Sequence, residues 1–262
     1  MKRVIFIPAR FASTRYPGKP LVQLTGATGL RKSLIQRAWE AAKSVRGADG
    51  VFVLTDDDRI ADAARAFGAD VLMTSPEARN GTERCAEAVA QLPTPPDFVI
   101  NLQGDAPLTP PWFVEALIDR MAKGDVEMTT PVLLCDAETL TNFVTDRQNG
   151  RVGGTTAVMR ADGSALYFSK EVLPYVGDLT NPPEVWHHVG VYGYTPAALQ
   201  AYMSTPEGPL EQAEGLEQLR FLENGIPVTC VPVDGKGRVF WELNNPVDVE
   251  RIEGVLAKEG IE

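Results

Sequence analysis

Short apolar segments alternate with helical repeats through the first hundred residues of this chain, and this alternation limits the folds available to it. The apolar segments are rich in Val, Ile, Phe or Leu and lie at residues 4–7, 51–54, 71–73 and 98–102. Between them, apolar residues recur at helical intervals, as in Leu34, Ala38 and Ala42. Strands and helices in this order form right-handed βαβ crossovers. The predicted fold class is therefore α/β, a mostly parallel, doubly wound sheet with helices on both faces.

The pattern changes after about residue 126, where strand-like segments follow one another closely. Asn-Gly, Asp-Gly and Gly-Asp turns separate these segments, and no long helix is predicted between them. Such spacing is typical of antiparallel pairing. We therefore expect one domain over residues 1–262, in which residues 126–195 add an antiparallel layer. The segments of this layer lie at residues 128–134, 155–160, 166–168 and 189–194, and helical repeats at 210–222 and 246–258 flank a last strand at 227–233.

Charge is distributed unevenly along the chain. Residues 1–46 contain ten Lys or Arg and one acid, a local charge of +9, which leaves −19 for the remainder of a chain with net charge −10. The acidic remainder argues against binding to nucleic acid or to an anionic membrane, because most of the surface would repel phosphates. The cationic segment suits a compact polyanion such as a nucleoside triphosphate.

Several other classes of protein are excluded by simple counts. No stretch approaches the roughly 18 consecutive apolar residues of a spanning helix, and the N-terminal residues lack the apolar run of a secretory signal. We therefore expect a cytoplasmic protein without a membrane span. The three cysteines form no C-x-x-C pair and the two histidines are adjacent. Neither a disulfide framework nor a multi-histidine metal centre is predicted.

The loop after the first strand has the composition of a phosphate-binding loop. It contains three cations at a spacing of four to five residues, Arg10, Arg15 and Lys19. Small residues between them, such as Ala9 and Ser13, let the backbone approach a ligand and present its N–H groups. The spacing is neither G-x-G-x-x-G nor G-x-x-x-x-G-K-[ST], which excludes the dinucleotide and Walker motifs. Ligands of open α/β sheets bind at the carboxyl ends of strands, where this loop lies.

Residues 8–21 read P-A-R-x-x-S-x-R-x-P-G-K-P-L, and this motif resembles the N-terminal signature of the CMP-3-deoxy-manno-octulosonate (CMP-Kdo) synthetases. The likeness continues in order along nearly the whole chain. Further matching blocks are N-G-T-E-R at 80–84, N-L-Q-G-D-A-P at 101–107, A-L-Y-F-S at 165–169, H-V-G-V-Y-G-Y at 188–194, P-L-E at 209–211 and L-E-Q-L-R at 216–220.

The resemblance implies a Rossmann-like nucleotide-diphospho-sugar transferase fold and a cytidylyltransferase activity. Members of this family couple CTP to an acidic 3-deoxy sugar and release pyrophosphate, with Mg²⁺ as cofactor. The resemblance also implies a homodimer formed through the added antiparallel region. In this reading Arg10, Arg15, Lys19 and Asp105 are the catalytic residues.

Asp105 is the predicted principal metal ligand. It follows the fourth strand and a glycine, so its carboxylate is expected at the same sheet edge as the Arg10 loop. The alternative role is that of a helix N-cap ahead of Pro110. The family completes the metal site with a second aspartate near the C-terminus, where this chain has Asn244. Either Asn244 or Glu242 then supplies the second contact, or Asp105 acts with phosphate oxygens alone.

The turn at residues 80–84 is predicted to select the base. Its N–H groups and the Thr82 hydroxyl are suited to the O2 and N3 acceptors of cytosine, and Arg84 is expected to reach the base or a phosphate. The alternative is a helix-capping turn. The full predicted nucleotide-binding set comprises Ala9, Arg10, Ser13, Arg15, Lys19, Met73, Thr74, Asn80, Gly81, Thr82, Arg84, Gln103 and Gly104.

The family's sugar pocket is matched less well. Gln103, Tyr192, His188 and Glu211 stand at its sugar-contacting positions, and Glu214 follows Glu211 at i+3 on the same predicted helix face. In addition, His187 precedes His188 where the family shows Arg-His, and Lys170 replaces an arginine.

Three alternatives remain open on the sequence. The same reaction on another sugar acid, of the sialic acid or amino-Kdo type, would account for changes in the sugar pocket. Loss of the second carboxylate would fit a non-catalytic nucleotide-binding protein. A nucleotidyltransferase for molybdopterin or glycerol substrates is disfavoured by the matching blocks after residue 165.

Overall fold

A computed structural model describes residues 1–12, 16–152, 154–238, 240–243 and 245–262. In these residues the strands are β1 Arg3–Pro8, β2 Gln23–Thr25, β3 Arg31–Ser33, β4 Gly50–Thr55, β5 Asp70–Met73, β6 Phe98–Leu102, β7 Met128–Leu134, β8 Thr156–Met159, β9 Ala165–Ser169, β10 Trp186–His188, β11 Val191–Tyr194 and β12 Val228–Val233. The helices are α1 Leu34–Lys43, α2 Asp58–Ala66, α3 Gly81–Gln91, α4 Pro111–Met121, α5 Ala137–Gln148, α6 Pro196–Ser204, α7 Pro209–Glu214, α8 Leu219–Glu223 and α9 Asp248–Glu259, and a 3₁₀ turn spans Lys19–Leu21.

The strands form one mixed sheet in the order β5-β4-β1-β6-β11-β7-β10-β8-β9, with β12 paired to β7, besides the small β2-β3 hairpin. The first four strands of this order run parallel to one another. The predicted α/β fold with a doubly wound parallel part is confirmed. The strands are parallel because each helix returns the chain to the end of the sheet where the preceding strand began, so that the next strand runs in the same direction.

The antiparallel region continues this sheet and does not lie over it as a separate layer. β11 pairs antiparallel with both β6 and β7, and β10 joins β7 to β8. The expectation that no long helix interrupts this region is wrong, because α5 has 12 residues. Only Leu140 and Phe143 of α5 are buried, so the helix carries too few apolar residues to produce a readable period.

One further element differs from the sequence prediction. The stretch at 210–222 is two short helices, α7 and α8, because Gly215 adopts a left-handed conformation with φ of 62° and ends the first of them. Asp105 is not a helix cap, since α4 begins after Pro110. Among the described residues, none of the helices has the length and apolar character of a membrane span.

Alternate residues of β1 enter two different apolar cores. Ile5 and Ile7 pack on one face with Phe113 of α4, and Val4 and Phe6 pack on the other with Ala88 of α3. Each of these strand residues is no more than 2% exposed. Burying such a side chain contributes about 1.5–3 kcal/mol. Helices therefore cover both faces of the sheet, and the carboxyl ends of the strands remain open for the site.

Gly104 brings the ends of β1 and β6 together. A Cβ at this position would lie 2.7 Å from the carbonyl oxygen of Pro8, the last residue of β1. That contact is with backbone, so relieving it would move the strand end or the loop. The absence of a side chain at residue 104 thus sets how closely Asp105 approaches the loop after β1.

Gly104→Ala should lower the free energy of unfolding by about 1–3 kcal/mol because of this overpacking. Gly254→Ala is the matched control, since a Cβ there meets nothing within 4 Å in α9. The control should be neutral or stabilising by about 0.5–1 kcal/mol, as expected for Gly to Ala in a helix. Urea unfolding followed by circular dichroism measures both, and equal stability of the two variants would refute the close approach.

Candidate active site

The loop after β1 folds back on the strand ends that surround it. The buried Ala9 donates its backbone N–H to the carbonyl of Leu54 at 2.8 Å, and Gly18 donates to the carbonyl of Phe11 at 2.9 Å. The exposed Arg10 side chain donates from Nη1 to the carbonyl of Arg79 at 3.3 Å. These hydrogen bonds fix the chain at Arg10 and beside Lys19, the first and the last cation of the loop. Ser13 and Arg15 lie outside the described residues, as does Asn244.

Lys19 and Asp105 meet across the sheet edge. The Lys19 ammonium donates to Oδ2 of Asp105 at 2.7 Å, with the two side chains 14% and 27% exposed. The carbonyl of Asp105 accepts from the N–H of Leu243 at 2.8 Å, which brings residues 240–243 to the same place. The loop after β1, the turn after β6 and the segment before α9 thus converge on Asp105.

A cavity of about 500 Å³ opens beside this convergence. Three predicted sugar residues, Gln103, Tyr192 and Glu211, lie in its wall together with Asp105 and Glu242. The remaining lining residues are Arg79, Asn80, Gly190, Glu207, Gly215, Leu216, Glu217, Gln218 and Arg220.

Glu211 and Glu214 do not act as the predicted pair on one helix face. Glu211 is 4% exposed, and Arg220 holds its carboxylate through two hydrogen bonds of 2.6 and 2.7 Å. Glu214 instead accepts from the Ser169 hydroxyl at 2.6 Å and from the backbone N–H of Lys170 at 2.9 Å. Helix α7 has only six residues, so each carboxylate contacts a different neighbouring element. Glu214 therefore stabilises the end of β9.

His188 packs behind the cavity wall. Its ring lies between Phe168 and Tyr192, with centroid distances of 5.1 and 5.6 Å. Burial lowers the pKa of His188 to about 3, so the imidazole is neutral. His187 likewise lies between the rings of Phe143 and Phe240, and burial lowers its pKa to about 4. In this structure His188 supports Tyr192 rather than facing the cavity.

The turn at residues 80–84 caps α3 through Asn80. The Asn80 side chain accepts from the N–H of Glu83 at 2.9 Å and donates to the Tyr202 hydroxyl at 2.7 Å. The predicted contact between the Thr82 hydroxyl and a base does not fit the structure. Thr82 is fully buried and its hydroxyl is hydrogen-bonded to that of Tyr194 at 2.9 Å.

Arg84 is also turned away from the cavity. It is 3% exposed, donates to the Thr74 hydroxyl at 2.6 Å and forms an ion pair with Asp56 at 3.0 Å. Through these contacts, Arg84 and Thr74 stabilise the ends of β4 and β5. Of the predicted base-contacting residues in this region, Met73 is 38% exposed and Asn80 lies in the cavity wall.

Two cavity residues, Glu217 and Gln218, were not predicted as site residues. Burial raises the pKa of Glu217 to about 7, and the N–H of Thr82 donates to its Oε2 at 3.4 Å. Gln218 is 1% exposed, and its Oε1 accepts from the Tyr192 hydroxyl at 3.4 Å. Both precede α8 and face the cavity because Gly215 breaks the helical run. The matching block at 216–220 was the signal that could have identified them.

The cavity is suited to a divalent cation that also binds substrate oxygens. Asp105 and Glu242 line it together. Within the described residues no group of three or more His, Cys, Asp or Glu side chains is placed to hold an ion. Magnesium usually takes one or two carboxylates and completes its shell with water and phosphate oxygens. The donor set present therefore fits magnesium bound jointly by protein and nucleotide.

Comparisons with known proteins show which family the chain matches. A family model described as cytidylyltransferase matches residues 4–230. A 3-deoxy-manno-octulosonate cytidylyltransferase of Maricaulis maris (strain MCS10) is 42% identical over 261 residues, 99% of each chain. An 8-amino-3,8-dideoxy-manno-octulosonate cytidylyltransferase of Shewanella frigidimarina (strain NCIMB 400) is 39% identical over 98% of this chain and 99% of the relative.

A solved structure of CMP:2-keto-3-deoxy-manno-octonic acid synthetase complexed with CTP has a TM-score of 0.85 to this chain. It is 33% identical and covers 99% of this chain and 100% of its own. The family match and the full-length relatives confirm the predicted resemblance, and the chain belongs to the cytidylyltransferase family of nucleotidyltransferase enzymes.

Proposed function

We propose that the protein couples CTP to a 3-deoxy-2-keto sugar acid, Kdo or a close relative, and releases pyrophosphate. The anomeric hydroxyl oxygen bonds to the α-phosphorus, the bond from that phosphorus to the β-phosphate oxygen breaks, and the hydroxyl proton leaves to solvent. The observation that carries this proposal is the contact between Lys19 and Asp105 at the edge of the cavity. It joins a cationic loop, the carboxylate proposed to bind metal and a cavity of about 500 Å³ in one place.

The loop after β1 would bind the β- and γ-phosphates. Arg10 and Lys19 are held at its two ends, and Arg15 lies between them in the chain. Cations fixed beside the departing pyrophosphate stabilise the charge that develops on it. Positioning and charge neutralisation are then the main contributions of this protein to the rate.

Magnesium would be held by Asp105 with Glu242, and when bound it neutralises phosphate charge and lowers the pKa of the attacking hydroxyl. Asp105 receives support from its backbone contact with Leu243, which fixes the segment carrying Glu242. This role is proposed on the position of the two carboxylates and on the fit of their oxygens to magnesium.

The sugar would occupy the cavity beside Gln103 and Tyr192. Gln218 and Glu217 present further hydrogen-bonding groups there, which suits a ligand rich in hydroxyls. The sugar carboxylate needs a cation, and Arg79 lines the cavity with a side chain that is 60% exposed. His188 and Glu211 would act indirectly, through Tyr192 and Arg220.

An amino-modified sugar acid is the second candidate substrate. Five carboxylates line the cavity, those of Asp105, Glu207, Glu211, Glu217 and Glu242, against the guanidinium groups of Arg79 and Arg220. An excess of carboxylates favours a substrate that carries an ammonium group. The relative from Shewanella frigidimarina bears the name of such an activity.

We also propose a homodimer formed through residues 126–195. This region contains exposed apolar side chains, among them Leu134 at 51%, Leu166 at 48% and Leu179 at 45%. Exposed apolar surface of this kind marks contact sites between proteins.

Incubation with CTP, Mg²⁺ and a panel of sugar acids should release pyrophosphate with Kdo or its 8-amino derivative and more slowly with sialic acid. ATP and GTP should give little product. A coupled pyrophosphate assay measures this. No release with any sugar acid would refute the enzymatic proposal and favour a nucleotide-binding protein.

Asp105→Asn is the control for that assay. It keeps the shape of the side chain but removes its charge, so turnover should fall by roughly a hundredfold or more. Its circular dichroism spectrum should stay that of the wild type. Full activity of this variant would refute the metal role of Asp105.

The KM for the sugar acid should rise roughly three- to tenfold between pH 6 and pH 8 at saturating CTP. Glu217, with its pKa raised to about 7, is mostly protonated at pH 6 and mostly ionised at pH 8, where it repels the sugar carboxylate. Glu217→Gln stays neutral and should show a flat KM over the same range. An equal rise in both proteins would contradict this role of Glu217.

Sedimentation equilibrium should give twice the mass of the chain for the wild type and the mass of one chain for Leu166→Glu. Met203→Glu is the control, because Met203 is 47% exposed but lies in α6, outside the proposed interface. A monomeric wild type would refute the dimer.

A further inference from the structure

The Lys19–Asp105 contact places a monovalent cation on the carboxylate proposed to bind magnesium. The two side chains are 14% and 27% exposed, so water screens this ion pair less than the surface pairs of the chain. For comparison, the side chains of Arg65 and Asp62 are 53% and 76% exposed.

The neighbourhood of Asp105 is acidic. Glu217 and Glu242 line the same cavity, and their charges, together with that of Asp105, raise the pKa of the Tyr192 hydroxyl beyond the effect of burial. The lining arginines have carboxylate partners of their own, since Arg79 binds Glu83 and Arg220 binds Glu211. Among the described residues, Lys19 is therefore the cation bonded directly to Asp105.

A divalent cation and this ammonium compete for Asp105. Magnesium binds carboxylate oxygen at about 2.1 Å and requires strict octahedral geometry. A second cation bonded to the same carboxylate repels magnesium and occupies acceptor positions of Oδ2. Lysine carries its charge on a flexible four-carbon stem, so its ammonium is able to swing to a phosphate when one arrives.

We propose that Lys19 takes the place of the divalent cation on Asp105 in the nucleotide-free protein and releases this carboxylate when a triphosphate binds. The inference rests on the proposed function, because it assumes a metal role for Asp105 and a triphosphate on the loop. Lys19 then neutralises the Asp105 carboxylate before substrate binds, and metal enters together with the nucleotide. By linkage, whatever removes the ammonium from Asp105 strengthens metal binding there.

The test measures Mn²⁺ binding to the protein without nucleotide or sugar, by electron paramagnetic resonance of free Mn²⁺. Lys19→Met should bind one Mn²⁺ per chain roughly five- to tenfold more tightly than the wild type, as expected for the loss of one competing ion pair. Lys32→Met is the matched control. It removes one positive charge from the same basic segment, but Lys32 pairs with Glu40 at 2.7 Å, so its affinity should equal that of the wild type.

The double variant Lys19→Met/Asp105→Asn should lose the gain in affinity. An unchanged Mn²⁺ affinity of Lys19→Met, or a gain that survives in the double variant, would overturn the proposal. A gain of the same size in Lys32→Met would overturn it as well, since the effect would then be one of net charge. Circular dichroism verifies folding, and Lys19→Gln replaces Lys19→Met if the latter is unfolded.

The outcome is separable from that of the proposed function. Failure of the pyrophosphate assay with tight Mn²⁺ binding by Lys19→Met would refute the reaction and leave the competition between Lys19 and the metal standing. Pyrophosphate release with no change in Mn²⁺ binding would refute only the role of Lys19 in excluding the metal.

Discussion

The parallel pairing of β1 with β6 is the constraint on which the site depends. It places the end of each strand at the same edge, and Gly104 allows the turn after β6 to approach the Pro8 carbonyl. Lys19 and Asp105 are 86 residues apart in sequence and yet form a hydrogen bond of 2.7 Å. Their contact follows from strand pairing, because neither local segment could hold the two charges together alone.

The basic loop after β1 and the acidic lining of the cavity meet at the contact between Lys19 and Asp105. The basic loop after β1 borders a cavity with five lining carboxylates, and a CTP–magnesium complex would join the two parts. The cations of the loop would then face the phosphates, and the carboxylates of Asp105 and Glu242 would face the metal. The proposed exchange of Lys19 for a divalent cation would keep Asp105 neutralised in both states.

Buried networks position the cavity residues from behind. Arg220 holds Glu211, and its guanidinium lies 4.0 Å from the ring centroid of Tyr202. Stacked rings then connect Tyr202 through Phe221 to Tyr194 and on to Tyr192. Leaving a buried polar group unpaired costs free energy, so the network favours one arrangement of the cavity wall.

Strand and helix periods are properties of short segments, so they predicted the α/β fold and its parallel strands, and the order of the motifs along the chain predicted the family. The motifs also predicted Lys19, Asp105, Gln103 and Tyr192 as site residues, and the structure brings these four residues together beside one cavity. It was the packing of the folded chain that turned Thr82, Arg84 and His188 inward and placed Glu217 in the cavity wall. The direction of a side chain depends on which elements pack against it, as when the left-handed Gly215 turns residues 216–218 toward the cavity, and that packing has no signature in local spacing.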